Sequence, residues 1–502
     1  MAVQLPSEWK DILELSESRI RAGDAAASIK VLEQINTKKI PREFRLPLAN
    51  HCRRTGLVGL GLRVLSPLVR PSEMDIHHQA TPNELAEYAV LIQRYGAAQE
   101  ALGILNTIEP QDVPEAPLFK AYCHFNLWQY EESIPFLRQF IESPSNLYMG
   151  FVGKVNLAAA LIETHRLDEA AELVRNNIEF ARTNNYLRLL GNNYELLAKV
   201  LLLSKKFDEA EKCLYEANRV FASAQTHDQL YVKGLQAWLT AERLYSDVPL
   251  KEFRKEAFLR GEPESAREAD LNALSIKFSE PDFNFLYFGT PFKAFRNVIV
   301  QRTGSSPIQE SYILGQQGVP CLDIKSGIVL GKDHKTRSSQ FEPVSHGSKA
   351  HKLLELLFRD FYRPMNMGQL FSNLFPDEYF DIFTSPHRIE QVVYRTRLFL
   401  SENKIPISIF CNDGKFSAQC GDKISILVPK NREPVNRGNQ HLELLLSTFA
   451  PDEEFSATQI MKKLGITKSS CQRFIAKAIE DGDLEKFGAG SNTRYFVPKK
   501  VA

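Results

Sequence analysis

The sequence predicts a mainly α-helical fold: a helical-repeat N-terminal half, a small α/β connector and two compact α+β domains. Three observations carry this expectation. A spacing of small residues recurs six times between about residues 8 and 222. The pattern dissolves between about 250 and 320, and two successive stretches beyond it each place helical patterns ahead of a hairpin pattern. The 502 residues, 43% hydrophobic and 25% charged, suit a soluble globular chain with several cores.

The repeat is defined by positions. A small residue stands at Ser16, Ala49, Ala89, Ala121, Ala158 and Ala198, and a second follows twelve residues later at Ser28, Gly61, Ala101, Ser133, Ala170 and Ala210. One helical turn further on, an aliphatic side chain always appears: Leu32, Leu65, Leu105, Leu137, Val174 and Leu214. Two helices approach closely only where side chains are small, and the aliphatic residue fills the adjacent groove. The intervening turns read RAGD, RTGL, RYGA, LWQY, HRLD and KKFD, and Pro71, Pro110 and Pro144 punctuate three repeat ends. Leu167–Ala170 and Phe207–Ala210, both ending Asp-Glu-Ala, resemble the start of a second tetratricopeptide helix. The resemblance implies a tetratricopeptide-like α-solenoid with a concave groove for a protein, peptide or other ligand. Trp128, Tyr130, Tyr186 and Tyr194 are expected in the core or lining that groove, and Tyr231–Leu244 as a seventh first helix or a cap.

Between about 250 and 320, Gly261-Glu262-Pro263 breaks a charged helix, Phe283–Phe288 alternates like a strand, and Thr290-Pro291 reads as an N-cap with proline at the first helical position. This stretch is expected to be a connector of mixed structure.

From Cys321 a β-rich prelude with a turn at Ser326-Gly327 leads to a helix burying Leu353, Leu354, Leu356, Leu357 and Phe361. A short helix over Met367–Leu374 follows, and Ser385-Pro386 opens a third, His387–Glu402. Ile389, Val392, Val393, Thr396 and Leu400 face its core side; Arg388, Gln391 and Arg395, spaced three, four and seven apart, face outward. Ile407–Cys411 and Phe416–Cys420 alternate as strands around a tip at Asn412–Lys415. Leu322-Asp323-Ile324, Pro376-Asp377, Ile389-Glu390 and Arg395-Thr396-Arg397 resemble the winged-helix effector of response regulators of the OmpR/PhoB type, although Thr396 stands where that family usually has leucine. The resemblance implies a third helix in the major groove of DNA and a hairpin along the minor groove, which would bring Arg388, Gln391, Arg395, Arg397 and Lys415 to the duplex.

The last stretch has the same layout in less space. Leu442, Leu444, Leu445 and Phe449 mark a first helix; Ser456 caps a second, Ala457–Leu464, which ends at Gly465. Thr467 caps a third, Lys468–Asp481, with Cys471, Phe474, Ile475, Ala478 and Ile479 facing in. Strands over Leu484–Phe487 and Thr493–Val497 flank a glycine-rich tip. The stretch resembles the winged-helix modules of bacterial repressors. Its candidate DNA contacts are Lys468, Ser469, Gln472, Arg473, Lys486 and Arg494. Lysine and arginine neutralise phosphates, and arginine and glutamine offer the donors that guanine and adenine edges accept.

The expected boundaries are therefore 1–250 for the repeats, 251–320 for the connector, 321–430 for the first winged helix and 431–502 for the second. Net charge is +1 overall but uneven. From Leu322 onward there are 26 Lys and Arg against 21 Asp and Glu, with 36 against 40 before it, a balance compatible with a DNA-facing C-terminal part. Seven scattered cysteines make no disulfide framework, the N-terminal residues show no secretory pattern, and no apolar run reaches membrane-spanning length. A cytoplasmic protein is expected.

Gly59-Leu60-Gly61 lacks the third glycine of a dinucleotide loop, Gly327–Lys332 lacks phosphate-loop spacing, and His77-His78 and His334, His346 and His351 lack metal-ligand spacing. No enzymatic activity, cofactor or metal is expected. The leading expectation is a transcription regulator that binds double-stranded DNA, with a protein or peptide partner at the repeat groove, no membrane association and a homodimer as one assembly open to it. The rival is a non-enzymatic scaffold whose winged helices mediate protein assembly.

Overall fold

The computed structural model describes residues 9–21, 24–70, 79–224, 229–430, 453–464, 468–480, 483–488 and 493–498. The described chain divides into two units, Met1–Pro429 and Lys430–Ala502.

The first unit opens with antiparallel helix pairs. They are α1 (Trp9–Arg21) with α2 (Ala25–Leu32), α3 (Arg42–Arg54) with α4 (Val58–Val69), α5 (Pro82–Arg94) with α6 (Ala98–Leu105), and α7 (Ala116–Asn126) with α8 (Tyr130–Glu142). Then come α9 (Leu147–Glu163) with α10 (Leu167–Thr183), α11 (Leu187–Leu203) with α12 (Phe207–Ala224), and α13 (Gln229–Leu244) with α14 (Val248–Leu259). The small residues of the repeat are the contact points. Ala49, Ala89, Ala121, Ala158 and Ala198 on first helices, and Ala101, Ala170 and Ala210 on second helices, have no exposed surface. A Cβ added at Gly61 would lie 2.8 Å from Leu91 Cδ2. In the first pair the two positions are serines, whose hydroxyls satisfy each other at 2.8 Å. This is a tetratricopeptide-like α-solenoid, with its repeat register as the sequence spacing indicates.

The turns inside the pairs share one device. Gly56, Gly96, Trp128, His165, Lys205 and Tyr245 all adopt positive φ, between 50° and 105°. The next amide then reaches back five residues in five of these turns, as in Arg166 N to Leu161 O at 2.8 Å and Lys206 N to Leu201 O at 2.8 Å. Glycine suits this left-handed position, yet four of the six residues carry side chains. Tyr245 marks α13–α14 as a seventh pair of the same kind.

The stretch expected as a mixed connector is helical up to residue 303. Its helices are α15 (Pro263–Ile276), α16 (Glu280–Phe288) and α17 (Lys293–Thr303). The apparent strand at 283–288 is therefore α16: Phe283, Leu286 and Phe288 are buried, and a short aromatic run carries no reliable period. Thr290 caps nothing. It is buried, and its hydroxyl accepts from Arg267 Nη1 at 2.8 Å.

Residues 311–429, the mixed region, contain β1 (Ser311–Leu314), β2 (Cys321–Asp323), β3 (Val329–Leu330), α18 (Lys349–Leu357), β4 (Met365–Asn366), α19 (Met367–Leu374), α20 (Ser385–Glu402), β5 (Ile407–Asn412), β6 (Lys415–Cys420) and β7 (Ser425–Pro429). One sheet has the order β1-β7-β2-β3, with β2 parallel to β7; the second has the order β4-β6-β5. Asn366 and Gln369 form a reciprocal cap on α19. Helix α20 begins at Ser385 rather than after it, so the expected Ser385 cap shifts: Ser385 Oγ accepts from Asp381 N at 2.9 Å. Asp413 and Gly414, both at positive φ, make the two-residue hairpin turn that pairs Asn412 with Lys415. Buried Thr396 satisfies its hydroxyl on Val392 O at 2.7 Å.

In the second unit, α21 (Ala457–Leu464), α22 (Lys468–Glu480), β8 (Glu485–Phe487) and β9 (Arg494–Phe496) surround a core of Phe455, Ile460, Cys471, Phe474, Ile475, Ala478, Leu484 and Val497. Ser456 and Gln459 form a reciprocal cap on α21. Phe455 and Tyr495 exchange backbone bonds of 2.9 and 2.8 Å. Ile479, expected inside, is exposed. The expected first helix, with Leu442, Leu444, Leu445 and Phe449, lies outside the described residues, as do Gly465 and the Thr467 cap.

Candidate functional site

Helix α20 turns Ile389, Val393, Thr396 and Leu400 inward, which leaves Gln391, Tyr394, Arg395 and Leu398 exposed on its other side. Two expected contacts are spent elsewhere. Arg388 forms a two-point ion pair with Glu378, one arm at 2.8 Å, and its guanidinium lies 4.1 Å from the Phe375 ring centroid. Arg397 donates through Nε (3.1 Å) and Nη2 (2.7 Å) to Ile409 O, tying α20 to the hairpin. Each side chain thus has an acceptor within the protein, although Arg397 is exposed and Arg388 only half-buried. Gln391 Nε2 lies 2.8 Å from His387 Nε2. The exposed face thus carries one uncommitted cation, Arg395, beside an amide and two apolar side chains.

In the terminal unit Lys468 and Gln472 are exposed on α22, and Lys486 is exposed on β8 opposite Tyr495. Ser469 and Arg473 belong to α22, but their side chains lie outside the described residues. Arg494 is half-buried, with Nη1 donating to Thr493 O at 3.1 Å.

Lys415 is exposed at the hairpin turn, where it does more than flank α20. It borders a cleft of about 1180 Å³ between the repeats and the mixed region. The cleft is lined by the α5–α6 and α7–α8 turns, the α14–α15 turn, the start of α17, and residues of α18, α19 and the hairpin. Sequence spacing gave no warning of it, since its walls come from residues 93 to 417.

Two sets of contacts hold the cleft walls. At one end, Phe380 is fully buried: its N–H donates to Glu100 Oε2 at 2.9 Å, and its ring lies 5.2 Å from Tyr95. Arg70 pairs with Glu100 and covers the Tyr379 ring at 4.4 Å. The approach is so close that a Cβ on Gly368 would lie 2.4 Å from Tyr95 O, and one on Gly96 would meet the Asn366 side chain.

At the other end, fully buried Arg267 of α15 donates through Nη2 to both carboxylate oxygens of Asp360, each at 2.8 Å. Asp360 also accepts from the amides of Tyr362 and Arg363. Tyr362 donates to Asp270 at 2.6 Å, and Arg363 Nε donates to Glu264 at 2.9 Å. Burial alone would depress the Arg267 guanidinium; Asp360 and Glu264 reverse this and raise it. Trp128 packs edge-on against Phe295 at 4.6 Å and also against Phe292, bracing α17. It is core as much as lining.

Among the described residues no cluster of His, Cys, Asp or Glu is placed to hold a metal ion, and no helix is long and apolar enough to cross a membrane. The seven cysteines are all free thiols.

No family model and no curated protein matches the chain. Among solved structures, the apo form of RapI is 11% identical, covering 59% of this chain and 94% of its own, with a TM-score of 0.39. A Rap protein complexed with competence and sporulation factor is 13% identical over the same shares, with a TM-score of 0.36. A tetratricopeptide repeat protein from Parabacteroides merdae is 15% identical, covering 59% and 99%, with a TM-score of 0.33. At these scores the repeat assignment stands on the helix pairs themselves.

Proposed function

We propose that the protein is a transcription regulator that binds double-stranded DNA through two winged helices and receives a protein or peptide partner on its repeats. The observation that carries the reading is the open outer face of α20, with Gln391 and Arg395 exposed and the β5–β6 hairpin fixed beside it by Arg397. The order helix, strand, helix, helix, hairpin supports the resemblance to the response-regulator effector. The shorter α21, α22 and β8–β9 series supports a second module of the same type. In this reading Arg395 and Gln391 meet base edges, Lys415 and Lys486 meet phosphates, and Lys468, Ser469, Gln472 and Arg473 form the corresponding edge of α22. Arg388 and Arg397 serve as braces, and Arg494 stays close to its own strand. The reading places the protein in the cytoplasm, with a homodimer as the assembly to examine on a two-fold symmetric site.

A second reading is favoured by Tyr394 and Leu398, 67% and 45% exposed and one turn apart on that same face. Apolar side chains there suit a protein partner, and the winged helices would then assemble a scaffold.

The test is selection of a duplex from random sequences by the full chain, followed by affinities for single-base variants. Arg395→Ala should cost about 1–3 kcal/mol on the selected site and relax preference at one position, whereas Lys486→Ala should weaken all variants alike. Failure to select any duplex, together with loss of a protein partner on Tyr394→Ala, would establish the scaffold instead.

A further inference from the structure

The cleft between the repeats and the mixed region has the chemistry of a specific ligand site. Its volume of about 1180 Å³ exceeds the roughly 300–1,000 Å³ typical of small-molecule pockets. Amide side chains line it from five elements, Gln99 of α6, Asn126 of α7, Asn297 of α17, Asn373 of α19 and Asn412 of β5, with Asn126 and Asn373 each giving one N–H to a backbone carbonyl. A primary amide offers two donors and an acceptor, which matches the alternating N–H and C=O of an extended main chain.

Charge narrows the ligand further. Arg94, Lys293 and Lys415 line the cleft, against Glu132 and Asp413, while Arg359 has Glu355 and Asp360 beside it. The other charged lining residues, Asp360 and Arg363, are neutralised by Arg267 and Glu264. Burial holds the guanidinium groups of Arg94 and Arg359 below their ordinary range, so a carboxylate placed beside them stabilises their charged form. A polynucleotide fits less well. The rings of Trp128 and Phe292 pack on each other at 5.7 Å, and Trp128 packs on Phe295, which limits the ring faces they offer to bases. Glu132 and Asp413 would face a continuous polyanion.

We propose that this cleft binds a short, linear, acidic peptide, whose main chain is met by the amides and whose carboxylates are met by Arg94 and Lys293. The proposal rests on the reading that the repeats receive a partner, and it names that partner's class and its place. The site is not the concave repeat surface alone. Its lining includes Arg94 and Gln99 of the repeats, Lys293 and Asn297 of α17, and Asn373 and the hairpin, so an occupant bridges the repeats and the mixed region.

The test uses the full chain panned against a random dodecapeptide library, with selected peptides synthesised, labelled and titrated by fluorescence anisotropy. The expected result is enrichment in Asp and Glu, with affinity falling about tenfold, near 1.4 kcal/mol, on Lys293→Glu and several-fold on Asn297→Leu. Both residues are exposed, and an unchanged thermal transition checks that the variants fold. Selected peptides without acidic bias, or with affinities indifferent to both substitutions, would overturn the cleft proposal while leaving the repeats as a partner surface elsewhere. Failure to select any peptide would overturn the cleft proposal and leave the repeats to a folded protein partner.

Discussion

Two parts of this chain place a pair of helices ahead of a hairpin, and they are stabilised by different means. In the mixed region, Leu370, Phe371, Phe380 and Val393 belong to one continuous buried cluster with Leu65, Tyr88 and Leu105 of the repeats. In the terminal unit, eight buried residues, from Phe455 to Val497, form a separate core. Helix α19 therefore depends for its position on the solenoid, whereas α21 and α22 rest on side chains of their own unit. The difference teaches that similar element order does not imply similar coupling. A change at Gly96 or Glu100 of the repeats is felt beside α19, through Asn366 and Phe380.

Breaking the Arg267 contact should separate the two parts most sharply. Removing one member of a buried ion pair costs about 3–5 kcal/mol, and Arg267→Ala leaves Asp360 without its guanidinium partner. Calorimetry of the full chain should show the transition of the Met1–Pro429 unit lowered and that of the terminal unit unmoved. Equal shifts in both would refute the difference in coupling.

Acid should act on the mixed region next. Burial pushes His351 down to about 4 from 6.5; it is neutral, accepting from Gly347 N at 3.1 Å on Nδ1 and donating through Nε2 to Ile324 O at 2.9 Å. Between those values the unfolded chain binds the proton more readily, so stability is intact above about pH 6.5 and falls as pH drops towards 4. The loss is roughly 3 kcal/mol at the low end. Denaturant unfolding across this window should steepen for the first unit and flatten in His351→Gln. An identical slope in the variant would remove His351 as the cause.

Two smaller changes sharpen the comparison. Gly368→Ala forces the α19 backbone away from Tyr95 O and should destabilise the first unit by about 1–3 kcal/mol, read as a lowered denaturant midpoint. Ala170→Leu, at a fully buried repeat contact, should cost a similar amount, but the damage should stay near α9–α11. Hydrogen exchange would show opening there and not at α19; opening at both would mean that the repeats and the mixed region unfold as one body.

The sequence made the solenoid legible because its small residues recur at a fixed interval, and helix contacts at Ala89, Ala170 and Ala210 demand that smallness. It also placed α19 and the hairpin strands to within a residue or two, since Asn366 and Asp413-Gly414 are strong local signals. It misplaced α16, whose aromatic run alternates by accident, and Thr290, whose partner Arg267 is 23 residues away. The protein partners of Arg388 and Arg397 were hidden for a related reason. Helical spacing says which way a side chain leaves the helix, not that Glu378 or Ile409 O waits there. The cleft was invisible because no local pattern joins Gln99 to Asn297 and Asn412.

A salt titration tests most directly the proposed contact of both hairpin-bearing parts with duplex DNA. The full chain is titrated with mixed-sequence duplex from low to physiological salt, alongside Arg395→Ala and Lys486→Ala. Each phosphate neutralised contributes about 0.9 to the slope of log affinity against log salt. The account predicts tight binding at low salt, a steep fall as salt rises, and a slope reduced by roughly one in Lys486→Ala. No binding at low salt, or a slope unchanged by both substitutions, would contradict it.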